Sequence, residues 1–231
     1  MTAGSVTPEH LGLGALSAPG APAAAPAAAP APAAPAENAF FAGNPGALGI
    51  PVFVAGSVAL ALALVGYVPA GAVGAPIAII AFATGLGLTV ATIWAAAVGQ
   101  SAVASVFGIF GAFWLSYAAL VLGLLHNWFA ITPDAVVHTQ GLFLISWIVI
   151  MGMLTLATLR LPLAFTTIFA LVELALIAVL IGTINASSGW LKTGGVLVFL
   201  FAAVGVYVYF SIASAITGGP HLPLGEPIIK S

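Results

Sequence analysis

Residues 48–68 read LGIPVFVAGSVALALALVGYV. At about 1.5 Å per residue this helix-length run crosses the roughly 30 Å hydrocarbon core of a bilayer. It is not isolated, because no Asp, Glu, Lys or Arg stands between Asn38 and Pro133. Working outward, six apolar runs read as helices: Leu48–Val68, Val73–Val98, Ser101–Leu124, Thr139–Thr158, Leu161–Thr183 and Trp190–Thr217. The alternation over about ten residues that marks a transmembrane barrel strand is missing. The expected fold class is therefore an all-α integral membrane protein, a six-transmembrane-helix bundle with the lipid bilayer as its first partner.

Composition points the same way. The 231 residues are 62% hydrophobic and 3% charged, whereas about a quarter of a soluble domain is charged. So few charges do not cover a water-facing surface, and no basic face exists for nucleic acid. The chain has no cysteine, hence no disulfide framework, thiolate metal site or thiol nucleophile.

Punctuation divides the runs. Pro51, Pro76 and Pro162 each fall in the expected first turn of a helix, where a missing N–H costs nothing. Turn residues separate the spans at Pro69 with Gly71, at Gly99, at Pro133 and at Ser187-Ser188-Gly189. Trp128 and Trp190 lie near span ends, where amphipathic rings favour the membrane interface. Residues 1–43 are an Ala/Pro-rich segment expected to be disordered and extended, because its repeated prolines oppose helix. The transmembrane domain is expected over 44–219, with a short C-terminal tail over 220–231. With the N-terminus inside, Arg160 and Lys230 fall on the inner side and Lys192 on the outer, a two-against-one count that agrees with the positive-inside rule and with both termini in the cytoplasm without fixing the orientation.

Chemistry-bearing residues are few. Glu173 is the one acid within a span, and an intramembrane carboxyl faces a bundle interior, a partner or water. Two readings stay open for it, a proton-linked acid and a neutral acid bonded across a helix or subunit contact. His126, Asp134 and His138 surround one connecting loop with irregular spacing, which reads as a solvated loop rather than a metal site. No hydrolase elbow, Walker loop or His-Glu-x-x-His is present, and no catalytic pair assembles, so an enzyme, a metal and a cofactor are not expected. Gly85, Gly108, Gly111, Gly194 and Gly195 read as points where helices approach closely.

One stretch is more specific. Asn44-Pro45-Gly46-Ala47-Leu48-Gly49-Ile50 resembles the Asn-Pro-Ala-Pro-Leu-Gly-Leu signature of the acetate uptake transporter family, the YaaH-like succinate–acetate permeases. In the same order, Gly108–Leu115 resembles that family's Tyr-Gly-Ser-Phe-Trp-Leu segment, and Ile181-Gly182 matches the end of its fifth helix. Leu222-Pro223-Leu224-Gly225-Glu226 resembles its Leu-Pro-Ile-Gly-Glu. The similarity covers about residues 44–227.

The resemblance implies a transporter or channel in the plasma membrane for acetate and related small monocarboxylates, assembled as a homo-oligomer, a hexamer. Substrate would enter at Asn44, Pro45, Leu48 and Gly49, where backbone N–H groups at the helix start would help bind the anion. The family's constriction ring of Phe, Tyr and Leu falls on Phe53, Phe110 and Val172. Counted from Asn44, Ser101 and Leu161, these are residues ten, ten and twelve, a common depth of about 15 Å. The departures are specific. The ring loses a hydroxyl at Phe110, the family's second-helix Gln and Glu become Leu88 and Ala95, and Glu173 replaces a Thr. Those losses motivate the alternative of a non-transporting structural or accessory subunit that kept the fold.

Overall fold

The computed structural model describes residues 42–230. The Ala/Pro-rich segment, except its last two residues, lies outside them. Six helices long and apolar enough to cross a membrane follow one another. They are α1 (Gly46–Val65), α2 (Gly87–Ala97, continuing from a π-helix at Ile79–Leu86), α3 (Ser101–Leu125), α4 (Val136–Ala157), α5 (Leu163–Ile184) and α6 (Ser188–Ile216). No strand occurs among the described residues.

Four of the boundaries that differ from the sequence expectations do so for a local reason. α1 starts at Gly46, two residues early, because the Asn44 side chain accepts a hydrogen bond from Gly46 N–H at 2.9 Å. Pro51 is consequently inside the helix, not in its first turn, and offers Ala47 O no N–H. The second span does not begin at Val73: residues 70–75 form a 3₁₀ turn and further turns, and regular helix follows Pro76. Proline disfavours helical geometry in the residue before it, which sets that start. α4 starts three residues early, since Pro133–Ala135 form a 3₁₀ turn leading into it. Thr139 is already helical there and returns its hydroxyl to Ala135 O at 2.9 Å. Ser187 is the N-cap of α6, so Ser188 and Gly189, expected in a turn, are helical.

Glycines fix how the helices meet. α6 runs antiparallel to both α1 and α5. A Cβ at Gly195 would lie 2.8 Å from Val65 and 3.1 Å from Ala61 O in α1, and one at Gly194 would lie 2.6 Å from Val179 in α5. Adjacent glycines on two faces therefore let α6 sit between two neighbours at close range. Gly205 against Val54 and Gly46 against Ile212 continue the α1–α6 seam. Gly85, Gly108 and Gly111 serve the seam between the second span and α3, against Leu115, Thr92 and Leu88. The helices thus follow in space as α4, α5, α6, α1, α2, α3, with aromatic contacts between α3 and α4 completing the circuit.

The π-helix is where α2's first half meets α1. Thr84 donates its hydroxyl to Val52 O at 2.8 Å, into space that Gly56 leaves open by having no side chain.

Residues 220–229 fold back on the bundle. Ser214 Oγ donates to Pro220 O at 2.7 Å, Ser211 Oγ accepts from Leu222 N at 3.1 Å, and Tyr207 OH donates to Pro223 O at 2.9 Å. Leu224 O then accepts from Ala164 N, and Leu159 O from Ile229 N, both at 2.9 Å. Gly225 has φ +81° and abuts Leu163, a place no β-carbon suits. Lys230 and Glu226 pair at the surface. The segment expected as a plain tail is a strap tying the end of α6 to the α4–α5 turn.

Gly49 gives the sharpest packing test. Its Cα faces the buried Phe107 ring so closely that a Cβ would overlap ring carbons. Gly49→Ala is expected to destabilise the protein by about 1–3 kcal/mol through overpacking. A thermal-unfolding series in detergent checks this, and Phe107→Leu should restore much of the loss in the double variant.

Candidate functional site

Phe53, Phe110 and Val172 come together inside the bundle. Counted from the helix starts they are the eighth residue of α1 and the tenth of α3 and of α5, so their depths agree within about 3 Å. All three are buried. The Phe53 and Phe110 ring centroids are 4.9 Å apart, edge to face. Two further phenylalanines join them that sequence reasoning missed. Phe201 of α6 stacks on Phe53 at 5.6 Å, and Phe169, one turn before Val172, lies 5.5 Å from Phe110. Phe169 was visible as a helical neighbour of Val172, but nothing in the sequence pairs α6 with this level.

A cavity of about 70 Å³ adjoins the ring, on the side toward the ends of α1, α3 and α5. Phe53, Phe110 and Val172 line it, and Leu60, Leu64, Ala175, Leu176 and Val179 continue the wall farther along α1 and α5. On α3 the lining continues through Phe113, Trp114 and Tyr117, and α4 and α6 complete it with Phe143, Leu144, Val198 and Phe201. Positions 110, 113, 114 and 117 form one stripe because residues three and four apart share a helix face. The wall is almost wholly apolar. Leu88 and Ala95 are fully buried, and neither is part of it.

The start of α1 lies farther out. Asn44 is exposed, Pro45 is buried and Leu48 half-buried. The backbone donors there are already engaged. Gly46 N–H goes to Asn44 Oδ1, Ala47 N–H to Asn44 O, and Leu48 and Gly49 N–H to Pro45 O. The expectation that these N–H groups receive an anion is corrected: the Asn-Pro-Gly turn consumes them in closing the helix end.

Glu173 is absent from the cavity wall. Its Oε1 lies 3.7 Å from where a Cβ on Gly152 would be, so the carboxyl faces α4 across the α4–α5 contact. A rotation of about 100° from Val172 accounts for this. Its Oε2 is buried with no hydrogen-bond partner. His126 caps the end of α3 and its ring lies 5.8 Å from that of Trp128, while Asp134 is in the turn before α4 and His138 in the helix itself. Among the described residues no cluster of three His, Cys, Asp or Glu side chains exists.

Comparison with known proteins decides the lineage. Residues 26–217 match the GPR1/FUN34/yaaH family. The chain belongs to that family. It is 31% identical over 173 residues to the Meiotically up-regulated gene 86 protein of Schizosaccharomyces pombe, a match covering 71% of this chain and 54% of that protein. It is 27% identical over 199 residues to the Glyoxylate pathway regulator of Yarrowia lipolytica, covering 81% and 71%. The chain thus spans about half the length of the first of these relatives. Its fold resembles the solved structure of the bacterial acetate channel SatP, with TM-score 0.70 and 23% identity, over 80% of this chain and 99% of that one. Among its described residues this family member is all-helical, with six membrane-spanning helices.

The Glu173 surroundings generate a graded test. Gly152→Ala places its methyl at ordinary contact distance from Oε1 and should be tolerated, whereas Gly152→Leu should displace the acid and lower the yield of folded protein. Glu173→Gln, of the same shape, should fold normally, and Glu173→Lys should not insert or assemble. Yield and monodispersity by gel filtration read all four.

Proposed function

We propose that the protein is a plasma-membrane transporter or channel for acetate and related small monocarboxylates. The observation that carries this reading is the aromatic ring at one depth with a cavity directly beyond it. Family membership and the SatP-like fold support it. Solute would enter on the side of Asn44, Pro45, Leu48 and Gly49, where the Asn44 amide still offers polar contact. It would then meet the apolar constriction of Phe53, Phe110 and Val172. An ionised carboxylate is costly in such surroundings, so passage is as the neutral acid or as an ion briefly stripped of water. Glu173, outside the cavity wall, acts as a structural acid between α4 and α5 rather than as a ligand. Both termini lie in the cytoplasm, and protomers assemble as a hexamer with one path each. No covalent chemistry is involved.

A second reading is favoured by one observation. Leu88 and Ala95, where the family resemblance implies Gln and Glu, are completely buried apolar residues here. A structural or accessory subunit that kept the fold would tolerate that loss.

Uptake of labelled acetate into vesicles containing the purified protein separates the two, with empty vesicles correcting for diffusion through lipid. Protein-dependent uptake is expected. Phe110→Ala should raise its rate several-fold and admit longer acids, because Phe110 narrows the path against Phe53. Absence of protein-dependent uptake for every short monocarboxylate would leave the accessory role. If Glu173→Gln folds but abolishes a pH dependence of uptake, Glu173 is proton-linked rather than structural.

A further inference from the structure

Among the described residues, two buried side-chain polar atoms have no hydrogen-bond partner, Trp114 Nε1 and Glu173 Oε2. Their settings differ. Glu173 is absent from the cavity wall, whereas Trp114 belongs to it and is 1% exposed. A buried indole N–H normally finds an acceptor, and leaving it without one is unfavourable. Trp114 is also one turn beyond Phe110 on the same face of α3, about 6 Å past the constriction. Tyr117 follows one turn later on that stripe and also lines the cavity.

We propose that Trp114 Nε1–H is the donor that receives a carboxyl oxygen of a small acid held in this cavity, with the Tyr117 hydroxyl as the second polar group. This rests on the transport reading above. The remaining wall of Phe, Leu, Val and Ala suits a short alkyl group. An acceptor at one end and a few carbons at the other describe a short-chain monocarboxylate. A cation is unsuited, since no carboxylate lines the cavity. A sugar is unsuited too, because its hydroxyls would outnumber the partners. Size sets a further limit. About 70 Å³ is room for a small acid such as acetate or propionate. Trp114 is thus a specificity-determining residue placed just beyond the constriction.

The test uses the full chain in vesicles and in detergent. Trp114 is replaced by Phe, and separately by benzothienylalanine, which keeps the indole shape but has sulfur in place of N–H. Both replacements should raise the KM for acetate about tenfold or more, the size of effect expected for a lost hydrogen bond to a charged group. In the unmodified protein, the Trp114 indole ¹⁵N–¹H resonance should shift on adding acetate and stay still on adding methylammonium. If acetate is transported but the isostere leaves KM unchanged and the resonance does not move, the proposal is overturned. A resonance shift without uptake would keep the binding site and remove the transport reading. Neither shift nor uptake would remove both. If Trp114→Phe fails to fold, the isostere and the resonance still decide.

Discussion

Helices already surrounded by hydrocarbon gain little from hiding apolar side chains from water, so something else must hold them in register. Here that constraint is met by close backbone approach. Gly194 and Gly195 bring α6 against α5 and α1, and dispersion contacts, each small, accumulate along those seams. Hydroxyls add local anchors, as where Thr84 reaches Val52 O and where Thr166 donates to Thr158 O at 2.8 Å across the α4–α5 turn. Everything at the site depends on this scaffold. Phe53, Phe110 and Val172 share one level in α1, α3 and α5 only because the seams fix how far each helix slides along its neighbour.

Much of this was legible in the chain itself. A bilayer leaves few ways to satisfy backbone polar groups, so uncharged runs of sufficient length read directly as spans. Helix ends read less well. Asn44 and Pro133 both start structure earlier than hydropathy suggests, because capping and turn hydrogen bonds are set by single residues and not by average polarity. The π-helix at Ile79–Leu86 was invisible, since an apolar stretch carries almost no record of whether its bonds reach four or five residues back. At the site, Phe53, Phe110 and Val172 came from a family resemblance, and Phe201 was missed because contacts between distant helices leave no local pattern. The spent donors at the start of α1 were likewise hidden, as they follow from the geometry of one turn.

The ring and the cavity divide labour between two kinds of aromatic. In the transport reading, Phe53 and Phe110, which have no polar edge, would present a steric and desolvating barrier. One turn farther the stripe changes to Trp114 and Tyr117, whose edges carry donors. A path that strips water first and offers hydrogen bonds second would distinguish short acids from ions lacking an apolar end. Leu88, packed against Gly111, and Ala95 do not interrupt that sequence, because both are buried outside the wall.

The C-terminal strap has a consequence for biogenesis. Ala164 N–H, in the first turn of α5, takes its acceptor from Leu224, and Leu159 O its donor from Ile229. A ribosome releases those residues only after all six helices have been made. Until then the start of α5 lacks an acceptor supplied by protein, and water or a lipid headgroup must serve instead. The strap therefore fastens the α4–α5 turn only after α6 has been made, so that turn is completed by residues more than sixty positions downstream of it.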